Sequence, residues 1–138
     1  LAANSVDSAE LSGFGIMGFT DEAAGIKVSA QNVTLTHLDI YNNITNDAVL
    51  WFNGTAESPD NSTVKYINIY NNISHNTAPV RFDYGQGNYS YLNIYGNQGS
   101  ITGGIVYTNT NEVPLLLSKP KMGNGKSFSM LTNALCIP

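Results

Sequence analysis

The sequence predicts an all-β solenoid, a stack of about four short coils, and three observations carry that prediction. The first is repetition. Setting Leu38, Ile67 and Leu92 in one column aligns "LDIYNN", "INIYNN" and "LNIYGN". A second block follows each copy: "AVLWFNG" at Ala48–Gly54, "PVRFDYG" at Pro79–Gly85 and "GIVYTN" at Gly104–Asn109. A fainter earlier copy is "FGIMGF" at Phe14–Phe19 with "GIKVSA" at Gly25–Ala30. Self-similarity at a near-constant period marks units that bury their apolar side only by stacking on neighbours. The insertion "TAESPDNST" accounts for the wider spacing of the first two clear copies.

The second observation is period two. Leu38 and Ile40, Ile67 and Ile69, Leu92 and Ile94 share one parity, as do Val49 and Trp51, Val80 and Phe82, Ile105 and Tyr107. Short alternating runs bounded by Gly, Asn and Pro read as strands with one buried face. This alignment sends Trp51, Phe82 and Tyr107 inward together. The third observation is what joins the strands: no segment carries the i, i+3, i+4 spacing of a crossover helix, so strands follow in the same order and stack in parallel. A leucine-rich repeat is the rival, because "LTHLDIYNN" and "VKYINIYNN" fit L-x-x-L-x-L-x-x-N. That signature covers only the first half of each unit. The second half alternates β-branched and aromatic residues where a helical return is needed.

These units, "NVTLTHLDIYNN…AVLWFNG" and "YLNIYGN…GGIVYTN", resemble the right-handed parallel β-helix of the pectate-lyase-like family, over roughly Phe14 to Asn109. The resemblance implies fold with some force and activity with little. It divides a single domain, residues 1–138, into an N-terminal cap or link (1–13), repeat coils (14–110) and a C-terminal capping or assembly segment (111–138), which departs from the repeat. The inward apolar stripe runs to the end of the repeats, so self-association or continuation in a larger parent chain is expected. The first residue is Leu1, and the chain reads as a processed protein or a piece of a longer one.

Composition narrows the partners. Six cations stand against ten carboxylates, a formal net charge of −4, and only 12% of the 138 residues are charged. That gives little positive potential for a phosphate backbone, so nucleic acid is an unexpected ligand. No apolar run reaches the 18 residues of a membrane-crossing helix. Asn numbers 18, Ser plus Thr 23, and there is one cysteine, Cys136, which excludes an intrachain disulfide. A chain poor in charge and rich in Asn, Ser, Thr, Gly and Tyr is expected outside the cell, or on a cell or virion surface.

Read down the columns, the repeat assigns roles. In Asn42, Asn71 and Gly96 an Asn gives way only to Gly, which points to a bend in the left-handed region. The next column, Asn43, Asn72 and Asn97, keeps the amide throughout, which favours a coil-to-coil amide ladder. Asn43 and Asn72 also begin N-x-[ST] sequons, as do Asn32, Asn53, Asn61 and Asn88. In a eukaryotic secreted protein Asn53, Asn61 and Asn88, in loop-like sequence, are the best glycan acceptors. Alternation turns His37, Tyr66 and Tyr91 outward, with Asp39, Asn68 and Asn93 beside them and Tyr41, Tyr70 and Tyr95 beyond. This striped face suits sugars or another subunit, or else stacks only on itself.

Catalytic candidates are few. Asp39, Asp47, Asp83 and Glu112 fall in different columns, and the Asp21–Glu22 pair points opposite ways on a strand. Arg81 and Asp83 share an outward parity, with Lys27 in the Arg81 column; a lyase-like basic site or a solvated ion pair both fit. His37 and His75 lack metal-ligand spacing, so no metal and no cofactor are expected. Two function classes follow. One is a non-enzymatic extracellular structural or adhesive module, glycosylated or touching glycans and self-assembling or part of a larger surface protein. The other is a carbohydrate-active β-helix, a polysaccharide lyase or hydrolase or a viral tailspike piece.

Overall fold

The computed structural model describes residues 2–3, 9–13, 15–20, 24–100, 105–108, 115–118, 121–122 and 134–137. Among them every regular element is a strand. The first pass holds β1 (Ala2–Ala3), β2 (Ala9–Ser12), β3 (Gly15–Met17) and β4 (Ile26–Val28). The second holds β5 (Val33–Tyr41), β6 (Ile44–Thr45) and β7 (Leu50–Asn53). The third repeats this as β8 (Thr63–Tyr70), β9 (Ile73–Ser74) and β10 (Val80–Asp83). The fourth follows with β11 (Asn88–Tyr95), β12 (Gln98–Gly99) and β13 (Ile105–Thr108). Beyond it lie β14 (Leu115–Ser118), β15 (Lys121–Met122) and β16 (Ala134–Ile137).

All pairings are parallel, and they build three sheets along one axis: β1-β4-β7-β10-β13, β16-β14-β11-β8-β5-β2 with β3 and β15 alongside, and β12-β9-β6. The result is a β-solenoid of about three turns. The return path that a leucine-rich repeat would make helical is strand here. Part of the C-terminal segment also pairs in parallel: Leu117 pairs with Tyr89, Lys121 with Asn93, and Cys136 with Leu117.

The aligned columns are the core. Ile40, Ile69 and Ile94 pair in register above Ile16, and Leu38, Ile67 and Leu92 do likewise, all buried. Across the interior Phe52 stacks on Phe82 with ring centroids 4.8 Å apart, and Tyr89 meets the Phe82 ring edge-on at 4.6 Å. Such offset and edge contacts suit the ring quadrupoles and add to simple area burial.

One column differs from the sequence alignment. Phe52, not Trp51, pairs with Phe82, and Trp51 pairs with Lys27 and Arg81 on the outer surface. The reason is a corner of unequal length. From Thr45 to Leu50 the chain takes one step fewer than from Ser74 to Val80, and Val49 and Leu50 both donate their N–H to the Pro79 carbonyl. Because strand side chains have period two, a one-residue slip exchanges inside for outside. Tyr107 holds its backbone place beside Phe82; its side chain lies outside the described residues, as do Asp21, Glu22 and Glu112.

Candidate functional site

The bends follow the columns. Asn42, Asn71 and Gly96 have φ of 55°, 56° and 65°, the left-handed conformation their composition predicted. At Gly96 there is a second constraint: a Cβ there would stand 2.6 Å from Asn71 Oδ1, so a side chain at the top of the column would first have to displace that amide. The neighbouring column turns inward and is buried. Asn43 Nδ2 donates to Asn72 Oδ1 at 3.0 Å, and Asn72 Nδ2 donates to Asn97 Oδ1 at 2.9 Å. The same oxygens accept the backbone N–H of Asn43 and Asn72, and each amide nitrogen also donates to a carbonyl of the coil before it, Ile16, Ile40 or Ile69. Two of the six sequon asparagines, Asn43 and Asn72, thus carry their amides inside this ladder. A glycan on either would require it to break. Asn32, Asn61 and Asn88 are exposed and Asn53 is half-buried; Asn61 Nδ2 donates to Asn32 Oδ1 at 2.9 Å.

A second left-handed column was not foreseen. His37, Tyr66 and Tyr91 have φ of 54°, 59° and 54° and bend the long strands β5, β8 and β11 at mid-length. Left-handed backbone is uncommon for a bulky residue and costs roughly 1–2 kcal/mol relative to the right-handed form. The chain fills the Asn42 column with residues that tolerate this bend, yet here it places aromatic rings. The rings stack, His37 on Tyr66 at 5.0 Å and Tyr66 on Tyr91 at 4.6 Å. Tyr66 and Tyr91 remain 46% and 38% exposed.

Two residues along each strand, and also on the outer side, Asn68 Nδ2 donates to Asp39 Oδ1 at 2.7 Å and Asn93 Nδ2 donates to Asn68 Oδ1 at 3.1 Å. Two residues further, Tyr41, Tyr70 and Tyr95 stack nearly parallel, each pair 5.1 Å apart. The face is therefore a grid: an aromatic rail, an amide strip and a second aromatic rail. Its rows are about 4.8 Å apart, the strand spacing of a parallel sheet. Within each rail most ring faces cover one another, so edges, hydroxyls and the amide strip meet solvent.

The Arg81–Asp83 pair lies on another sheet, and the structure adds to it. Arg81 Nε meets Asp83 at 3.0 Å, and Arg81 Nη1 meets Asp47 at 3.1 Å, joining two acids the repeat had put in separate columns. Trp51 Nε1 donates to Asp83 Oδ2 at 2.7 Å, while Lys27 Nζ and Arg81 Cζ lie 4.0 and 4.6 Å from its ring. Asp83 is only 7% exposed, whereas the Arg81 and Asp47 side chains keep 30% and 27% of their exposure, so the cluster is buried at Asp83 and open to solvent at its outer end. Desolvation pulls the Arg81 pKa down, but hydrogen bonds and charge from Asp83 and Asp47 outweigh it and hold the guanidinium above its ordinary value.

A buried acid lies outside the columns of the repeat. Asp60, in the insertion, is 3% exposed and accepts hydrogen bonds from the Tyr89 hydroxyl and, at 2.7 Å, from Ser62 Oγ. One signal was present: Tyr89 occupies the inward column of Leu35 and Val64, and a buried phenol needs a partner. Burial raises the Asp60 pKa above its ordinary value, although the bonds from Tyr89 and Ser62 oppose it. A carboxyl raised on folding contributes stability below its unfolded pKa and loses it as pH rises through the folded value. Asp60→Asn keeps an acceptor for Tyr89 and does not titrate. The variant should therefore gain on the wild type in urea unfolding at pH 7, with the difference shrinking as pH falls towards the ordinary carboxylate range. A difference that stays constant with pH would show that Asp60 does not titrate on folding.

Among the described residues no group of three or more His, Cys, Asp or Glu side chains gathers for a metal ion, and no helix is long and apolar enough to cross a membrane. The geometry defines a class, a parallel β-solenoid ruled by amide and aromatic ladders. Compared with protein-family models, curated proteins and solved structures, the chain finds no match in any of the three.

Proposed function

We propose that the chain is a non-enzymatic, extracellular structural or adhesive module that contacts carbohydrate through the aromatic and amide grid. One observation carries this reading: aromatic residues occupy the left-handed bend at His37, Tyr66 and Tyr91, where Asn or Gly would be cheaper. Backbone strain retained at an exposed surface is a pointer to use of that surface. The amide strip offers donors and acceptors for sugar hydroxyls, and ring edges with phenolic oxygens flank it. Pectate-lyase-like kinship, glycans on Asn53, Asn61 or Asn88, and stacking on a second copy or a longer parent chain belong to the same proposal. The parallel coils support the kinship and the stacking, and the exposure of Asn61 and Asn88 suits glycans.

Tyr66→Asn separates fold from contact. Two lost ring contacts cost about 1–3 kcal/mol, and a residue that tolerates the bend recovers about 1–2 kcal/mol. Stability should therefore stay within about 1 kcal/mol of wild type by these figures. Retention on immobilised linear polysaccharides, neutral and anionic, should fall about tenfold, the equivalent of 1.4 kcal/mol. Unchanged retention, or no retention of the wild type on any of them, would overturn the proposal.

A second reading, a polysaccharide lyase or hydrolase, takes its support from Asp47 and Asp83 meeting at Arg81. Release of unsaturated sugars that depends on these residues would favour it.

A further inference from the structure

We propose that Tyr66 and Tyr91 form an oxidative modification site, at which a one-electron oxidant of the haem-peroxidase class, using hydrogen peroxide, joins the two rings into a dityrosine staple between coils. Their centroids are 4.6 Å apart with planes inclined by 23°, the closest ring pair on this face among the described residues. Both rings are exposed, and both stand on rigid bends of adjacent strands paired residue for residue on either side of them. Holding two reactants side by side in this way removes most of the entropic cost of bringing them together.

The chemistry closes without a further reagent. Each phenol gives up one electron and one proton, leaving two phenoxyl radicals. A bond forms between the ring carbons ortho to the two oxygens, and the hydrogens on those carbons pass to the oxygens as the rings regain aromaticity. One C–C bond replaces two C–H bonds, the chain loses two hydrogen atoms in all, and one peroxide is reduced to two waters. The second rail is less suited. Tyr70 lies between Tyr41 and Tyr95 in a nearly parallel stack with both ring centroids 5.1 Å away, farther than Tyr66 from Tyr91. The chain holds one cysteine, so a carbon staple supplies what an intrachain disulfide would otherwise supply.

The 138-residue chain, treated with a haem peroxidase and hydrogen peroxide at low protein concentration, should gain dityrosine fluorescence without forming covalent dimers. It should lose the mass of two hydrogens and yield a linked peptide pair containing Tyr66 and Tyr91. Its unfolding midpoint should rise. Tyr91→Phe keeps the ring in the stack and should abolish the link, whereas Tyr41→Phe should leave its yield unchanged. Links that map to other tyrosines, form only between chains, survive Tyr91→Phe, or form equally well in urea-unfolded chain would overturn the proposal.

Discussion

Asn72→Ala should lose about 4 kcal/mol of unfolding free energy, among the largest effects of any single substitution in this chain. The side chain is fully buried and central: its oxygen accepts two hydrogen bonds from Asn43, and its nitrogen supplies Ile40 and Asn97. Alanine leaves two donors of Asn43 and the Ile40 carbonyl facing a gap. Each buried polar group left without a partner costs about 1–3 kcal/mol, so the total is several times that of an ordinary hydrogen bond. The contrast is Asn68→Ala, whose amide makes a similar ladder on the outer face, where water replaces the lost partner; it should stay near 0.5 kcal/mol. Guanidinium unfolding of both variants decides the matter. If they cost the same, burial is not what gives the inner ladder its strength.

Phe82→Ala should cost about 4 kcal/mol, within the usual span for a buried phenylalanine. The ring is fully buried between Phe52 and Tyr89. Collapse into the gap is opposed because β10 is fixed on both sides, by β7 and by β13. A void that cannot close forfeits dispersion contacts as well as burial. There is also a remote effect. With Phe82 gone Tyr89 loses one wall of its pocket, so its hydroxyl should leave Asp60 part of the time. Urea midpoints measured across pH should show a smaller total stability and an altered Asp60 contribution. A cost under about 1.5 kcal/mol, typical of a well-tolerated swap, would mean that the interior repacks freely.

Much of this was legible in the repeat. Composition alone located the left-handed bend of Asn42, Asn71 and Gly96, because the alternation of Asn with Gly has a backbone cause. The amide ladder followed from a column that kept Asn where the sequon was lost. Trp51 was misplaced because its block was matched by apolar resemblance, and Trp fits that pattern as well as Phe. Only the count of residues around the corner, set by two N–H groups meeting the Pro79 carbonyl, separates the two registers. The left-handed bend under His37, Tyr66 and Tyr91 left no compositional mark, since aromatic residues are not the ones such a bend selects. Asp60 was illegible for a different reason: it lies in an insertion with no counterpart in the other coils.

That insertion carries a practical consequence. The pairs from Thr34 with Thr63 to Thr45 with Ser74 keep one constant offset, so extra length enters where the chain passes from β7 to β8 and, by one residue, where it passes from β9 to β10. Exposed Ala56 and Glu57 sit at the tip of the longer excursion. Lengthening such a loop costs only slowly more closure entropy, which makes this tip a ready port for grafting an epitope or a reporter without disturbing the stack beneath.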